Sequence, residues 1–455
     1  MKVLVITYYW PPSGGSGVQR WLKTSKYLPQ YGWEPVVYTP ENPDVNSVDE
    51  SLMKDVPADL TVIKRKITEP YGFYKVLTGK KKGEHLQANI ISSSSSGGSR
   101  SMIQRISMHI RANWFIPDPR CWWIKPSVRY LSRIIDGKGN ADDGLHFDAV
   151  ISTGPPHSMH LIAREIHKRF NIPWIADFRD PWTNIFYFKH LGLSAKSLRK
   201  HKSLERSVIA EADCVTVVSE QMKKEFSEGD FEAFKNKVHV IPNGYDPDDF
   251  DTQKNPELDK LYRSVSEMTE GKFLVVHTGL MPENANPDRF WKVLGEMAAS
   301  DSPFKERLMI VTMGQTDASV KKDIAENGLE GNYSDLGYVS HSTSIAWQKR
   351  ADLLLLPLRK EKESKAILTG KFFEYLASGN NILAFGPTDG DLARELEKTG
   401  SGIICGFDDE DAIRYAFEKL CTPGTPTLQQ TENRKKYSRA SGAERFAGLL
   451  DQIKK

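Results

Sequence analysis

Four segments of this sequence could do chemistry: three set polar, charged or glycine residues directly after a β-rich run, where an α/β protein binds its ligands, and one opens a helix behind a glycine. The first runs from Ser152 to His160 and carries Gly154, two prolines, His157 and His160. Either imidazole could hydrogen-bond a hydroxyl or a phosphate, or simply cap the helix that follows. No carboxylate or cysteine stands at ligand spacing beside the two histidines, so a metal site is not indicated. The second is Asp177-Phe178-Arg179-Asp180, in which two carboxylates flank a guanidinium. A carboxylate there binds hydroxyls or assists a proton transfer, and a pairing of Arg179 with Asp177 or Asp180 would shape the loop. The third runs from Thr369 to Gly379. Lys371 and Glu374 lie three apart and share a helix face, either as a surface pair or as a phosphate-binding cation and a hydroxyl-accepting carboxylate. The fourth, Gly14-Gly15-Ser16-Gly17, follows the first apolar run. Its spacing lets backbone approach a ligand but is not the GxGxxG of dinucleotide binding, so a hydride-transferring enzyme is weakly supported.

These segments need a sheet to hold them. Short apolar runs at 2–7, 35–38, 149–152, 174–177 and 214–218 alternate with helical spacing, as in 17–31. The pattern repeats with runs at 273–277, 308–312, 353–356, 382–384 and 402–404 and helices at 287–299, 318–327, 371–378 and 389–398. The reading is α/β, with two doubly wound Rossmann-like domains facing a cleft. The domains expected are 1–242, a linker at 243–271, a second domain at 272–430, and a C-terminal helix at 431–455 packing back on the first. A mobile insertion is expected near 78–100, where Lys80-Lys81-Lys82 precede a serine run and Gly97-Gly98.

The chain has 455 residues, 39% hydrophobic and 27% charged, enough for two cores and unlike a disordered chain. Cys121, Cys214, Cys405 and Cys421 are widely spaced, which argues against a zinc site or a disulfide framework and suits a reducing cytoplasm. The net charge of +3 hides an asymmetry of +10 over residues 1–225 and −7 over the rest. A basic half suggests an anionic partner. Residues 102–115 read as a basic amphipathic helix, with Ile103, Ile106, Ile110 and Trp114 on one side and Arg105 and Arg111 among the others. That segment packs on the core or lies in an anionic membrane surface. No nucleic-acid reader motif is present.

Together the segments resemble the retaining glycosyltransferases numbered family four in the carbohydrate-enzyme classification, which have the GT-B fold, and among them bacterial enzymes of surface-polysaccharide synthesis. The resemblance rests on the Tyr8-to-Gly17 loop, the Pro155-Pro156 to His160 loop and Asp177–Trp182. It continues through Ile241-Pro242-Asn243-Gly244, His277-Thr278-Gly279, a strand at 336–339, Ala351-Asp352 and Lys371–Gly379. It implies a metal-independent transfer of a sugar from a nucleotide-diphosphate sugar, UDP before GDP, to a lipid-linked or polysaccharide acceptor, with the anomeric configuration retained. Glu374 would hold the ribose, and Gly14, Gly15, Gly279, Arg359 and Lys371 the diphosphate or donor sugar. His160, Asp177 and Lys371 would serve the reacting centre, and His157, Arg179 and Asp180 the acceptor or the loops. No cofactor is implied, and the setting is cytoplasmic, on the inner membrane face. Two positions depart from the family pattern. Ala366 stands where a first glutamate precedes Glu374, and Leu280-Met281-Pro282-Glu283-Asn284 follow Gly279. The competing readings are a nucleotide-sugar epimerase of similar architecture and a non-catalytic sugar- or partner-binding protein.

Overall fold

The computed structural model describes residues 1–45, 47–69, 112–137, 145–185, 188, 191–421 and 431–454. The insertion at 78–100 and residues 102–111 of the amphipathic segment lie outside the described residues. The chain divides into two compact units, residues 1–242 with 442–455, and residues 243–441.

The first unit holds β1 (Lys2–Ile6), α1 (Ser16–Tyr27), β2 (Glu34–Pro40), β3 (Thr61–Arg65), α2 (Cys121–Ile135) and β4 (Ala149–Gly154). It continues with α3 (Ser158–Phe170), β5 (Trp174–Phe178), α4 (Ala195–Glu211), β6 (Cys214–Val217), α5 (Glu220–Glu225) and β7 (Val238–Val240). All seven strands are parallel, in the order β3-β2-β1-β4-β5-β6-β7. Helices cover both faces of such a sheet, so its inner strands read as unbroken apolar runs. Val3, Leu4, Val5 and Ile6 are all fully buried.

The second unit holds α6 (Pro256–Met268), β8 (Phe273–Thr278), α7 (Asp288–Ser300), α8 (Ser302–Arg307), β9 (Leu308–Met313), α9 (Ala318–Glu326) and β10 (Tyr333–Asp335). Then come α10 (His341–Arg350), β11 (Leu353–Pro357), α11 (Gly370–Ser378), β12 (Asn381–Phe385), α12 (Asp391–Thr399), β13 (Gly402–Cys405), α13 (Glu410–Cys421) and α14 (Thr431–Lys435). Its six parallel strands run β10-β9-β8-β11-β12-β13, the same winding as the first sheet. In each sheet the order reverses beside the first strand, at β1/β4 and at β8/β11, and ligands gather outside the strand ends at such a point. The last helix, α15 (Arg439–Ile453), ends in the first unit.

Several elements differ from the sequence reading. The helix expected over 17–31 stops at Tyr27 and tightens into a 3-10 turn, Leu28–Tyr31. Pro29 lacks the N–H that another α-turn requires, and Gly32 closes the turn at φ +80. Residues 243–271, read as a linker, lie inside the second unit and carry α6, capped by Asn255. The strand expected at 336–339 is Tyr333–Asp335 instead. Gly337 turns the chain at φ +62 just beyond it and leaves Tyr338 82% exposed.

Candidate functional site

In the first unit the loops after β1, β4 and β5 meet at the switch point. Asp177, at the end of β5, is fully buried, and both carboxylate oxygens are occupied. Arg20 Nη2 donates to Oδ1 at 2.8 Å and Arg20 Nε to Oδ2 at 3.0 Å. Trp21 Nε1, Thr153 Oγ1 and Thr216 Oγ1 donate at 2.9, 2.9 and 2.8 Å. Burial pushes the carboxyl up, but Arg20 and the other donors outweigh it and hold the carboxyl below the usual range. An ionised carboxylate with five donors has no lone pair left for a substrate proton. The expectation of a proton-transferring Asp177 is therefore corrected: the residue is a pillar. Arg20, held by it, also donates directly to the carbonyls of Ile241 and Pro242, at 2.9 and 3.0 Å, where the chain leaves this unit.

Arg179 ties two loops together. Its Nη1 donates to Gly17 O at 2.8 Å, its Nη2 donates to Pro155 O, and the guanidinium lies 5.6 Å from the Tyr9 ring centroid. It makes no hydrogen bond to Asp180, which is exposed. Arg179 therefore orders this corner through carbonyls rather than by pairing with its neighbouring carboxylates. Gly15 has φ +94 and open space where a Cβ would stand, while Gly14 packs tightly on Ser47. The turn needs glycine at both positions for different reasons.

The two histidines are placed by α3, which starts at the end of the β4 loop. His160 Nδ1 lies 2.8 Å from Ser152 Oγ, and the Ser152 hydroxyl accepts from Trp174 Nε1 at 2.9 Å. The His160 ring stacks on Phe178 at 4.4 Å. The His157 ring lies parallel to the Trp182 indole at 4.5 Å. The loop bearing Trp182 is held in turn by buried Glu205, which accepts from the Trp182 and Thr183 backbones at 3.2 Å. Burial, more than any neighbouring charge, drives the His160 imidazole down to about 3, and it pushes His157 well below its ordinary value. Both rings are neutral at pH 7. His157 Nδ1, His160 Nε2 and Arg179 Nε are buried without a hydrogen-bond partner. A Cβ on Gly154 would stand 2.5 Å from His160 Nε2 and 3.0 Å from His157 Nδ1, so both nitrogens face the same bare backbone.

In the second unit the switch point is built by Lys371. Its side chain passes over Gly279, whose φ of +94 turns the chain out of β8. Lys371 Nζ donates to Leu280 O at 3.1 Å and lies 3.5 Å from His277 Nε2. His277 Nδ1 stands 2.9 Å from Leu355 O and must donate to that carbonyl, which leaves Nε2 as the acceptor facing the ammonium. Burial lowers the Lys371 ammonium to about 8, with Arg359 adding to the fall and Glu374 opposing it. Glu374, one turn along α11, has Oε1 3.3 Å from His341 Nε2 and accepts on Oε2 from Gln348 Nε2 at 3.2 Å. Burial raises its carboxyl, but these hydrogen bonds and the nearby Lys371 outweigh it, so the carboxylate stays ionised below the usual range. Gln348 also donates to Thr278 Oγ1, and Thr278 N donates to Tyr375 Oη at 2.9 Å, which fixes α11 to the end of β8.

His341 and Gln348 escaped the sequence reading. The signal for them was a seven-residue spacing, two turns along one helix face. No side chain caps the N-terminus of α11, and Thr369 Oγ1 there is buried without a partner. Ala366 ends a 3-10 turn, Lys362–Ala366. Ahead of it, Glu361 Oε1 accepts from Asn284 Nδ2 at 2.8 Å, while Glu361 Oε2 is buried and unpartnered. Among the described residues no group of three His, Cys, Asp or Glu side chains is gathered as a metal site requires.

Residues 76–249 match the family described as Glycosyltransferase Family 4. No curated protein matches the chain in sequence. Among solved structures the chain is similar to a glycosyltransferase from Rickettsia africae, at 14% identity and TM-score 0.60, covering 99% of this chain and 98% of that one. It is similar to HepE of Anabaena, solved in complex with UDP, at 13% identity and TM-score 0.58, with each chain fully covered. It is also similar to WaaG, a glycosyltransferase involved in lipopolysaccharide biosynthesis, at 12% identity and TM-score 0.53, covering 99% of each chain.

Proposed function

We propose that this glycosyltransferase of the GT-B fold moves a sugar from a nucleotide-diphosphate sugar, UDP before GDP, to a lipid-linked or polysaccharide acceptor, without a metal and with retention at the anomeric carbon. The observation that carries the donor assignment is the Gly279–Lys371–Glu374 arrangement. A cation lies over bare backbone at the sheet's switch point, beside an uncapped helix N-terminus, with an ionised carboxylate one turn away. That is the charge pattern of a diphosphate next to a ribose. The UDP-bound HepE structure and the Family 4 match support it.

In this reading Lys371, Arg359 and the first amides of α11 neutralise the leaving diphosphate, which is the work a divalent ion would otherwise do. Glu374 accepts from the ribose hydroxyls, and His341 and Gln348 keep it ionised and aimed. A buried polar atom left without a partner costs about 1–3 kcal/mol. His157 Nδ1 and His160 Nε2 are therefore read as partners for sugar hydroxyls, held neutral so that each ring offers one donor and one acceptor. The leaving phosphate takes the acceptor's proton on the same face of the sugar, so no carboxylate nucleophile is required. Gly14 and Gly15 border the sugar, and Arg179 and Asp180 shape the acceptor side. The pathway is cell-surface glycan assembly at the inner membrane face. An epimerase would need no acceptor, and release of an altered sugar without one would replace this reading.

The test is a thermal-shift panel of UDP-, GDP- and ADP-sugars, because a ligand bound only by the folded chain raises the melting temperature. One UDP-sugar should stabilise the chain, and Glu374→Ala should abolish the shift. No shift with any nucleotide sugar, or a shift that Glu374→Ala leaves intact, overturns the proposal.

A further inference from the structure

One surface of the first unit is not used by the reaction. Trp114 is 77% exposed and Trp122 is 53% exposed. Phe115, next to Trp114 in the chain, meets Trp122 edge-on with ring centroids 5.2 Å apart. The group is fixed to the start of α4. Asn113 Nδ2 donates to Gly192 O at 3.2 Å, and its Oδ1 accepts from Ser194 N at 2.7 Å. Ser197 Oγ donates to Asn113 O at 3.4 Å. The exposed indoles are thus held by a rigid helix end rather than by a loose loop.

The rim of this group is basic. On α4, Ser197, His201, Glu205 and Val208 point inward, while Lys196, Leu198, Arg199, Lys200 and Lys202 are exposed. The first carboxylate of the helix, Glu205, is buried. Lys196, Arg199 and Lys200 make no ion pair among the described residues. Lys200 lies close enough to Cys121, next to Trp122, to act on its thiol. On α2 the exposed residues beside Trp122 include Lys125 and Arg129.

We infer that Trp114, Phe115, Trp122 and the Lys196–Lys200 turn of α4 form a docking surface for an anionic lipid bilayer. Indoles prefer the headgroup level of a bilayer, where one edge is apolar and the other wet. Lysine and arginine around them gain from the negative surface potential, by about fivefold in affinity per residue. A nucleic-acid duplex would pair with the same cations but offers the indoles no unstacked base, and a single strand, whose bases can stack on indoles, is told apart by the test. The inference deepens the proposed function by giving the surface at which a lipid-linked acceptor is met. It rests on that reading only for the acceptor.

The test is sedimentation of the full chain with phosphatidylcholine vesicles made with and without phosphatidylglycerol. The chain should partition onto the anionic vesicles and leave them as salt rises. Trp114→Ser with Trp122→Ser, and separately Lys196→Glu with Arg199→Glu and Lys200→Glu, should each lower the bound fraction about tenfold or more. Lys305→Glu, Arg307→Glu and Lys322→Glu on the second unit, an equal change of charge, should leave it unaltered. Circular dichroism and the nucleotide-sugar thermal shift should match wild type in every variant, so a failure here is distinct from a failure of the donor site. Equal binding of wild type and variants, absence of binding to anionic vesicles, or binding to single-stranded RNA that the serine variant abolishes overturns the inference.

Discussion

Lys371 lies across the bare backbone of Gly279, with its Cε 2.4 Å from where a Cβ would stand. A methyl group there cannot coexist with this path of the lysine, and the residue's φ of +94 adds backbone strain. Gly279→Ala should therefore displace the ammonium. We expect nucleotide-sugar affinity to fall at least about tenfold, a loss of one charge-assisted contact, while the fold survives. Calorimetric titration with UDP checks the affinity and circular dichroism the fold.

Burial lowers the Lys371 ammonium to about 8 in the unliganded chain. A depressed lysine is charged below that value and neutral above it. Affinity for a diphosphate should thus hold at pH 7 and decline as pH rises through about 8. Lys371→Arg stays charged throughout and should flatten the decline, and Lys371→Met should remove both the affinity and its pH dependence. Titration of UDP binding from neutral to alkaline pH decides the matter.

Glu374 is aimed by two donors, so its variants should separate charge from position. Glu374→Gln keeps the shape but loses charge-assisted hydrogen bonds, and donor affinity should drop about ten- to hundredfold. His341→Ala leaves the carboxylate in place with one support fewer, and a loss of severalfold is expected. A His341→Ala loss as large as that of Glu374→Gln would mean that His341 touches the donor itself.

His157→Phe preserves the flat stack on Trp182 and deletes the unpartnered Nδ1. Melting temperature and UDP affinity should stay near wild type, while KM for the sugar donor rises or kcat falls. His157→Leu loses the stack as well and should destabilise the chain. Steady-state kinetics beside thermal melts separate the two roles.

Asp177 and Arg20 test the pillar. Asp177→Asn leaves a buried guanidinium without its counter-charge, which costs about 3–5 kcal/mol. The folded carboxyl sits below its unfolded value, so its contribution is complete above the usual carboxylate range and is lost as pH falls through the lowered one. The wild-type melting temperature should drop in acid, and the variant should show a smaller acid dependence from an already lower start.

The winding of both sheets was legible because their inner strands are buried on two faces, as the unbroken Leu353–Leu356 run shows. The edge strands β3 and β10 were not. β3, Thr-Val-Ile-Lys-Arg, is half exposed, and β10 has only three residues. Lys371, Glu374 and His160 could be singled out because each follows a strand or opens a helix. Arg20 could not, because it sits inside a regular helix and its partner Asp177 is 157 positions away. The same distance hid the role of Asp177, whose place after a strand promised chemistry while its five donors come from three separate segments, α1, β4 and β6. His341 was invisible for a similar reason, since it meets Glu374 from a helix 33 residues earlier.

Phe446 packs against Trp21 with tilted rings 4.9 Å apart and lies under Arg20, and Ala443, Ala447 and Leu450 are buried with it. The amino-terminal unit is thus sealed by a piece of chain translated more than four hundred residues after α1. While the ribosome is still making the middle of the protein, Trp21 and the apolar side of Arg20 lack that cover, and a nascent chain that has reached residue 242 has every strand of this sheet but no lid on that corner. Clipping off residues 442–455 should leave the other unit whole and turn this one sticky, a difference that a chaperone or a protease would notice first.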